Sequence, residues 1–233
     1  MVLYDTEVKA MWKNAHRKLQ TISKQYAVRH MRRTTDTLNS LPKELRKKVD
    51  HVLERFVAII PENISDEQKV ALLYYTLTSQ IEYDRAGMDK ERIPYTFIGA
   101  LCKKKAVCMG IAELFTYLCT LVGVKKAVTV IGYACNTSHP SDTEDEGGLH
   151  AWAIIRLSGR WYHVDPTWDI HKTSNQNWRP RWFLLSDEEL ERHYWIHEDY
   201  PKAKARFRDK IEINMRGVEI LCRHWNNLIK EFE

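Results

Sequence analysis

The chain predicts an α+β fold. Apolar stripes at helical spacing fill its first third, alternating strand-like segments joined by a tight turn occupy the middle, and one amphipathic stripe closes it. Helices therefore come first, antiparallel strands next, and a helix last.

Within residues 1 to 36, Val8, Met11, Trp12, Ala15, Leu19, Ile22 and Tyr26 fall on one face of a long helix whose opposite face is charged. After Asn39-Ser40, Pro42 stands where a helix start tolerates it. Leu45, Val49, Val52, Leu53, Phe56 and Ile60 then give a second stripe that stops at Pro61. These residues, 1–64, form a predicted helical hairpin that docks on the rest of the chain. Ser65 and Gln68 are a capping-box pair opening a helix with Val70, Leu73, Leu77 and Ile81, which breaks near Tyr83-Asp84. Thr96 to Leu101 reads as a short helical turn. The next helix begins at or near Cys108 and runs through Ala112, Phe115, Leu118, Cys119 and Val122 to a stop at Gly123.

Ala127 to Cys135 is a strand by its β-branched content. The polar, acidic segment from Asn136 to Gly148 is a loop; a calcium site at Asp142, Glu144, Asp145 and Glu146 is the lesser reading, because the spacing lacks the alternation of an EF-hand loop. From His150 to Leu157 the chain alternates, with Ala151, Ala153, Ile155 and Leu157 on one face and His150, Trp152, Ile154 and Arg156 on the other. That is the pattern of a half-buried strand. Ser158-Gly159 supplies a tight turn, and Trp161 to Asp165 resumes a strand that Pro166 ends. If Ser158 and Gly159 are the two loop residues, Leu157 pairs with Arg160, Ile155 with Tyr162 and Trp152 with Asp165. His150 and Asp165 then share a face as diagonal neighbours, with Cβ atoms about 7 to 8 Å apart or somewhat less. A loop one residue longer would put them on opposite faces.

Arg181 to Leu185 reads as another strand, and Ser186 with Glu189 caps a short helix. Pro201 to Lys210 is basic and irregular. Ile211, Met215, Val218, Leu221, Cys222, Trp225, Leu228, Ile229 and Phe232 form the closing stripe, whose helix must pack on the body or on another copy of the chain. The expected organisation is a hairpin at 1–64, a core at 65–204 and a C-terminal amphipathic helix at 205–233.

A chain of 233 residues, 44% hydrophobic with eight tryptophans and 29% charged, is long enough and apolar enough to bury a core. Its net charge of +5 is spread along the sequence, and the densest basic run, Arg29-His30-Met31-Arg32-Arg33, reads as a solvated helix face, so no nucleic-acid partner is expected. No apolar run reaches the roughly 18 residues of a membrane span, and a soluble, cytoplasmic protein without a membrane partner is the expectation. The five cysteines lack paired metal spacing, which argues against a disulfide scaffold or zinc site; no metal and no cofactor are expected.

One cysteine stands apart. Cys108 is at a predicted helix N-terminus, after Lys103-Lys104-Lys105 and before Gly110. Unpaired N–H groups and the helix dipole there favour thiolate over thiol. The backbone N–H groups of Cys108 and Met109 are candidate donors to the oxyanion that forms when a thiolate attacks a carbonyl. His150 would serve as general base and then general acid, and Asp165 would hold its tautomer. Cys102, Cys119, Cys135 and Cys222 read as small buried hydrophobes, and His139, His163, His171, His193 and His197 as structural. Trp152, Trp161 and Trp168 read as core or pocket walls.

Tyr95-Thr96-Phe97-Ile98-Gly99-Ala100-Leu101, Ala106-Val107-Cys108-Met109-Gly110-Ile111-Ala112, His150-Ala151-Trp152 and Trp161-Tyr162-His163-Val164-Asp165-Pro166-Thr167-Trp168-Asp169 closely resemble the bacterial transglutaminase-like superfamily. The likeness extends to Arg181-Trp182-Phe183-Leu184-Leu185-Ser186-Asp187 and, less clearly, to His193, so it covers about residues 66 to 200. The resemblance implies a papain-like core with a nucleophile helix packed on an antiparallel sheet, Cys108 as nucleophile, His150 as base and Asp165 as orienter. The superfamily holds protein cross-linkers, proteases, peptide N-glycanases and deamidases, so the resemblance implies acyl-thioester chemistry better than it names a substrate. Met109 stands where the family often has a polar residue, and Lys104 and Ala106 replace frequent glycines. Tyr95 is a candidate second oxyanion donor, and Trp152 and Trp168 are candidate pocket residues.

The sequence thus predicts a cysteine-dependent acyl-transfer enzyme acting on peptide or protein amide bonds, with hydrolysis or deamidation slightly favoured over cross-linking. The alternative is a non-catalytic transglutaminase-like binding or assembly module. The expected partners are a peptide or protein substrate and, through the C-terminal helix, a second copy.

Overall fold

The structure, a computed structural model, describes residues 30–85, 93–135, 147–170, 180–190, 193–195 and 200–232. Most of the first expected helix and the acidic loop through residue 146 lie outside the described residues, with the four acidic positions of the calcium reading.

Two helices, α1 (His30–Ser40) and α2 (Lys43–Ala58), precede α3 (Asp66–Gln80). Helix α2 buries Val49, Val52, Leu53 and Phe56, four members of the predicted stripe. At Ser65 both halves of the capping box are made: Gln68 N–H donates to Ser65 Oγ at 3.2 Å, and Ser65 N–H donates to Gln68 Oε1 at 3.0 Å. A one-sided stripe was expected along α3, whereas every residue from Val70 to Thr78 is buried. This helix is the central rod of the core, with α4 (Cys108–Leu121) and α5 (Met215–Leu228) packed against it.

Five antiparallel strands form the sheet, in the order β6-β5-β4-β3-β7: β3 (Ala127–Cys135), β4 (Gly147–Leu157), β5 (Arg160–Val164), β6 (Phe183–Leu185) and β7 (His193–Trp195). The β4–β5 hairpin has the expected register, with Leu157 opposite Arg160 and Ile155 opposite Tyr162. Ser158 and Gly159 take φ of 47° and 82°, the pair of left-handed residues that suits a two-residue hairpin loop. The ladder ends at Ala153–Val164, one pair short of Trp152–Asp165, because Asp165 N–H instead donates to Trp182 O at 2.8 Å.

Strand β4 is buried on both faces from His150 to Ile155, which corrects the half-buried reading. The alternation itself stands. Ala153, Ile155 and Leu157 join the helical core, while Trp152 and Ile154 join a second cluster with Val130, Trp182, Leu190 and Tyr200. Chain after β6 covers the face that would otherwise meet water.

The closing helix is shorter than its stripe. Asn214 caps it by accepting from Gly217 N–H at 2.9 Å, so Ile211 and Ile213 belong to the extended approach. Val218, Leu221, Trp225 and Leu228 are buried against the same chain, with Trp225 Nε1 donating to Leu101 O at 2.9 Å. One apolar cluster therefore draws on the hairpin, the core and the C-terminal helix together. Ser186 and Glu189 make their capping hydrogen bonds but close a turn instead of a helix. No helix among the described residues is long and apolar enough to cross a membrane.

Candidate active site

Cys108 is the first residue of α4, and Val107 before it provides no side-chain cap. The opening N–H groups of the helix consequently receive no capping oxygen from that residue. A parallel pair of short strands, β1 (Glu82–Tyr83) and β2 (Lys105–Ala106), sets the approach to this helix, with Tyr83 opposite Ala106. The turn that delivers β2 is tight. A Cβ on Gly99 would sit 2.7 Å from Ile93 O and 2.9 Å from Lys105 O, so only glycine fits there. Lys104 adopts φ of 50° and is held by Gln80 Oε1 at 2.7 Å and by the face of Trp225.

His150 Nε2 lies 2.7 Å from Asp165 Oδ2, and both groups are buried. The hairpin loop thus puts them on one face, as the two-residue register requires. Asp165 Oδ1 accepts from Thr167 N–H at 3.0 Å, and Oδ2 accepts a second imidazole, His193 Nε2, at 3.0 Å. Burial would push the Asp165 carboxyl up, but the His150 charge and hydrogen bonds from both histidines hold it well below the usual carboxylate range. With Nε2 engaged by Asp165, His150 has Nδ1 left for its hydrogen bond to Cys108.

Burial raises the Cys108 thiol, but the hydrogen bond and charge of His150, with a hydrogen bond from Ala151 N–H, outweigh it and bring the thiol below its ordinary value. His150 moves the other way. Burial lowers it, and Asp165 and Cys108 overcome that to push it up to about 10. The favoured state is a thiolate beside an imidazolium. The other described cysteines behave oppositely: burial pushes Cys102 up to about 12, and raises Cys119 and Cys222 as well.

Tyr83 was not singled out in the sequence. Its hydroxyl hydrogen-bonds both the Cys108 side chain and the Cys108 backbone N–H, and burial followed by the Cys108 charge keeps it protonated far into the alkaline range. Tyr95, the candidate second oxyanion donor, lies in the turn Ile93–Tyr95. The missed signal was β1, a strand of two residues that no periodicity reveals. Met109 occupies the first turn of α4, half-buried.

Both named tryptophans pack on His150, Trp152 stacked at 5.9 Å between centroids and Trp168 tilted at 5.7 Å. Trp152 is itself fixed by Nε1 donating to His163 Nδ1 at 3.0 Å, and His163 Nε2 meets Asp187 Oδ1 at 2.9 Å. Asp169 Oδ2 accepts from the Tyr74 hydroxyl at 2.6 Å and from the Arg181 and Trp182 N–H groups, which ties the end of the hairpin to α3 and β6. Among the described residues, His150, Asp165 and His193 are the group whose ligand atoms, all within 4.8 Å, have metal-binding spacing. Their mutual hydrogen bonds use those same atoms.

The fold and site define a protein in which a helix-start cysteine meets a histidine–carboxylate pair from a β-hairpin. Residues 56–166 match the family model of the transglutaminase-like superfamily. It is similar to kyphoscoliosis peptidase of Mus musculus, 34% identical over 112 residues, and to that of Homo sapiens, 33% identical over the same length. Each match covers 47% of this chain and only 17% of the relative. Two solved structures are more distant: a TGase crystal structure at TM-score 0.45, 17% identical and covering 60% of this chain and 36% of its own, and calcium-bound LapG of Legionella pneumophila at TM-score 0.42, 10% identical and covering 88% and 99%.

Proposed function

We propose that this protein is a cysteine-dependent acyl-transfer enzyme acting on amide bonds of a peptide or protein. One observation carries the reading: a single hydrogen-bonded chain from Asp165 through His150 to Cys108, at the uncapped start of a helix.

The Cys108 thiolate attacks the amide carbonyl carbon, and the carbonyl electron pair moves to oxygen. Backbone N–H groups at the start of α4 stabilise that oxyanion, with the Tyr83 hydroxyl turning from Cys108 to donate as well. As the tetrahedral intermediate collapses, the C–N bond breaks and His150 gives its proton to the leaving amine. Neutral His150 then takes a proton from water, whose oxygen attacks the thioester and releases the acid and the thiolate. Asp165 holds the ring so that Nδ1 faces the sulfur throughout. Hydrolysis is favoured over cross-linking because no feature of the sequence marks a site for an acceptor amine, and the peptidase name of the relatives agrees with it.

The test is to incubate the protein with a peptide library and analyse the products by mass. Cleaved or deamidated peptides, absent with Cys108→Ala, support the reading. Products that persist with Cys108→Ala, or peptide binding without turnover by a protein whose Cys108 is reduced, would reject it and favour the binding module.

A further inference from the structure

We infer that His193 is a positioning residue for the His150–Asp165 pair, an inference that rests on the acyl-transfer function proposed for the site. Asp165 Oδ2 is shared: His150 Nε2 approaches at 2.7 Å and His193 Nε2 at 3.0 Å, while Oδ1 is held by Thr167 N–H. A carboxylate with three N–H donors has no freedom to rotate about its Cβ–Cγ bond. With Thr167 alone on Oδ1, it could swing Oδ2 away from the imidazole it must orient.

The His193 ring is itself immobilised. It packs against Trp168 at 4.4 Å between centroids, Trp152 at 4.9 Å and Trp182 at 5.2 Å, and its side chain is wholly buried. Its backbone is pinned by the pairing of β7 with β3, where His193 stands opposite Ala134 and Gly132 stands opposite His150. Side-chain period two places His193 and His150 on the same sheet face. The donor therefore reaches Asp165 from the far edge of the sheet, across β3 and β4, and couples the edge strand to the reactive cysteine. A histidine that only filled space among indoles would not need its Nε2 aimed at the one carboxylate that orients His150.

The experiment measures the rate of iodoacetamide alkylation of Cys108 against pH, resolved from the other cysteines by peptide mapping, in wild type, His193→Gln, His193→Asn and His193→Phe. Glutamine can put an N–H donor close to the place of Nε2; asparagine is too short, and phenylalanine keeps the ring without the donor. The inference expects His193→Phe and His193→Asn to react about tenfold or more slowly near neutral pH, the usual cost of losing a hydrogen bond to a charged group, with the rise in rate displaced to higher pH. His193→Gln should stay near wild type. If His193→Phe melts below the assay temperature, the Gln–Asn comparison decides. Alkylation needs no substrate, so the two readings fail differently. A reactive wild-type Cys108 with unchanged His193→Phe and His193→Asn, or with Gln as impaired as Asn, overturns the role of His193 alone. A wild-type Cys108 no more reactive than Cys222 overturns both.

Discussion

Asp165 Oδ2 meets His150 Nε2 at 2.7 Å across a hairpin whose loop is only Ser158 and Gly159. This pairing sets the ring so that Nε2 carries the proton and Nδ1 is presented to Cys108. Asp165→Asn keeps the shape and the Thr167 contact but turns an acceptor of two imidazole N–H groups into an amide. It is expected to lower kcat by about a thousandfold or more with the fold retained, because the wrong tautomer is favoured. Steady-state kinetics with circular dichroism on the same sample checks this; a variant within tenfold of wild type contradicts it.

The opposed shifts of Cys108 and His150 fix the pH dependence. Cys108 is lowered, so its thiolate persists to pH values below the ordinary thiol range; His150 is raised to about 10, so its imidazolium persists above the ordinary histidine range. Activity needs both forms. It should fall on the acid side as the thiolate gains a proton, and on the alkaline side only as His150 loses one, near pH 10. A pH–rate profile with its alkaline limb at about 6.5, the value of a free histidine, would contradict the pairing.

The Tyr83 hydroxyl bonds the Cys108 side chain and accepts from the Cys108 backbone N–H. Removing that hydroxyl in Tyr83→Phe should cut kcat by about 10- to 1000-fold with KM little changed, since the lost hydrogen bond belongs to the oxyanion and not to the ground-state carbonyl. A matching rise in KM with constant kcat would instead make Tyr83 a substrate-binding group.

Much of this arrangement is legible in the residues. The stripe of α2, the capping box of α3, the cysteine at the start of α4 and the register of β4 against β5 all follow from spacing and turn chemistry. What spacing could not reveal is how many faces an element buries. Strand β4 alternates whether one face or both are covered, and only the later chain around Trp182, Leu190 and Tyr200 covers its second face. Two-residue strands carry no period, so β1 and with it Tyr83 were invisible. His193 falls at the edge of the family likeness and reads as structural, and spacing could not pair it with Asp165, which lies 28 residues away and is reached only because β7 joins the far edge of the sheet.

The support beneath the site should be measurable as stability. Gly99→Ala forces a methyl between two backbone carbonyls and is expected to cost about 1–3 kcal/mol. Trp225→Ala removes a fully buried indole and its hydrogen bond to Leu101 O, for about 3–5 kcal/mol. Chemical denaturation measures both, and a loss below about 0.5 kcal/mol at either position would mean the local packing differs from that described.

Trapping the acyl-enzyme tests the central claim most directly. Protein mixed with a turned-over peptide, quenched in acid and mapped by mass spectrometry should carry the acyl group as a thioester on Cys108, formed in wild type and missing in Cys108→Ala. An acyl group on another residue, or rapid turnover of the peptide by Cys108→Ala, would contradict the account.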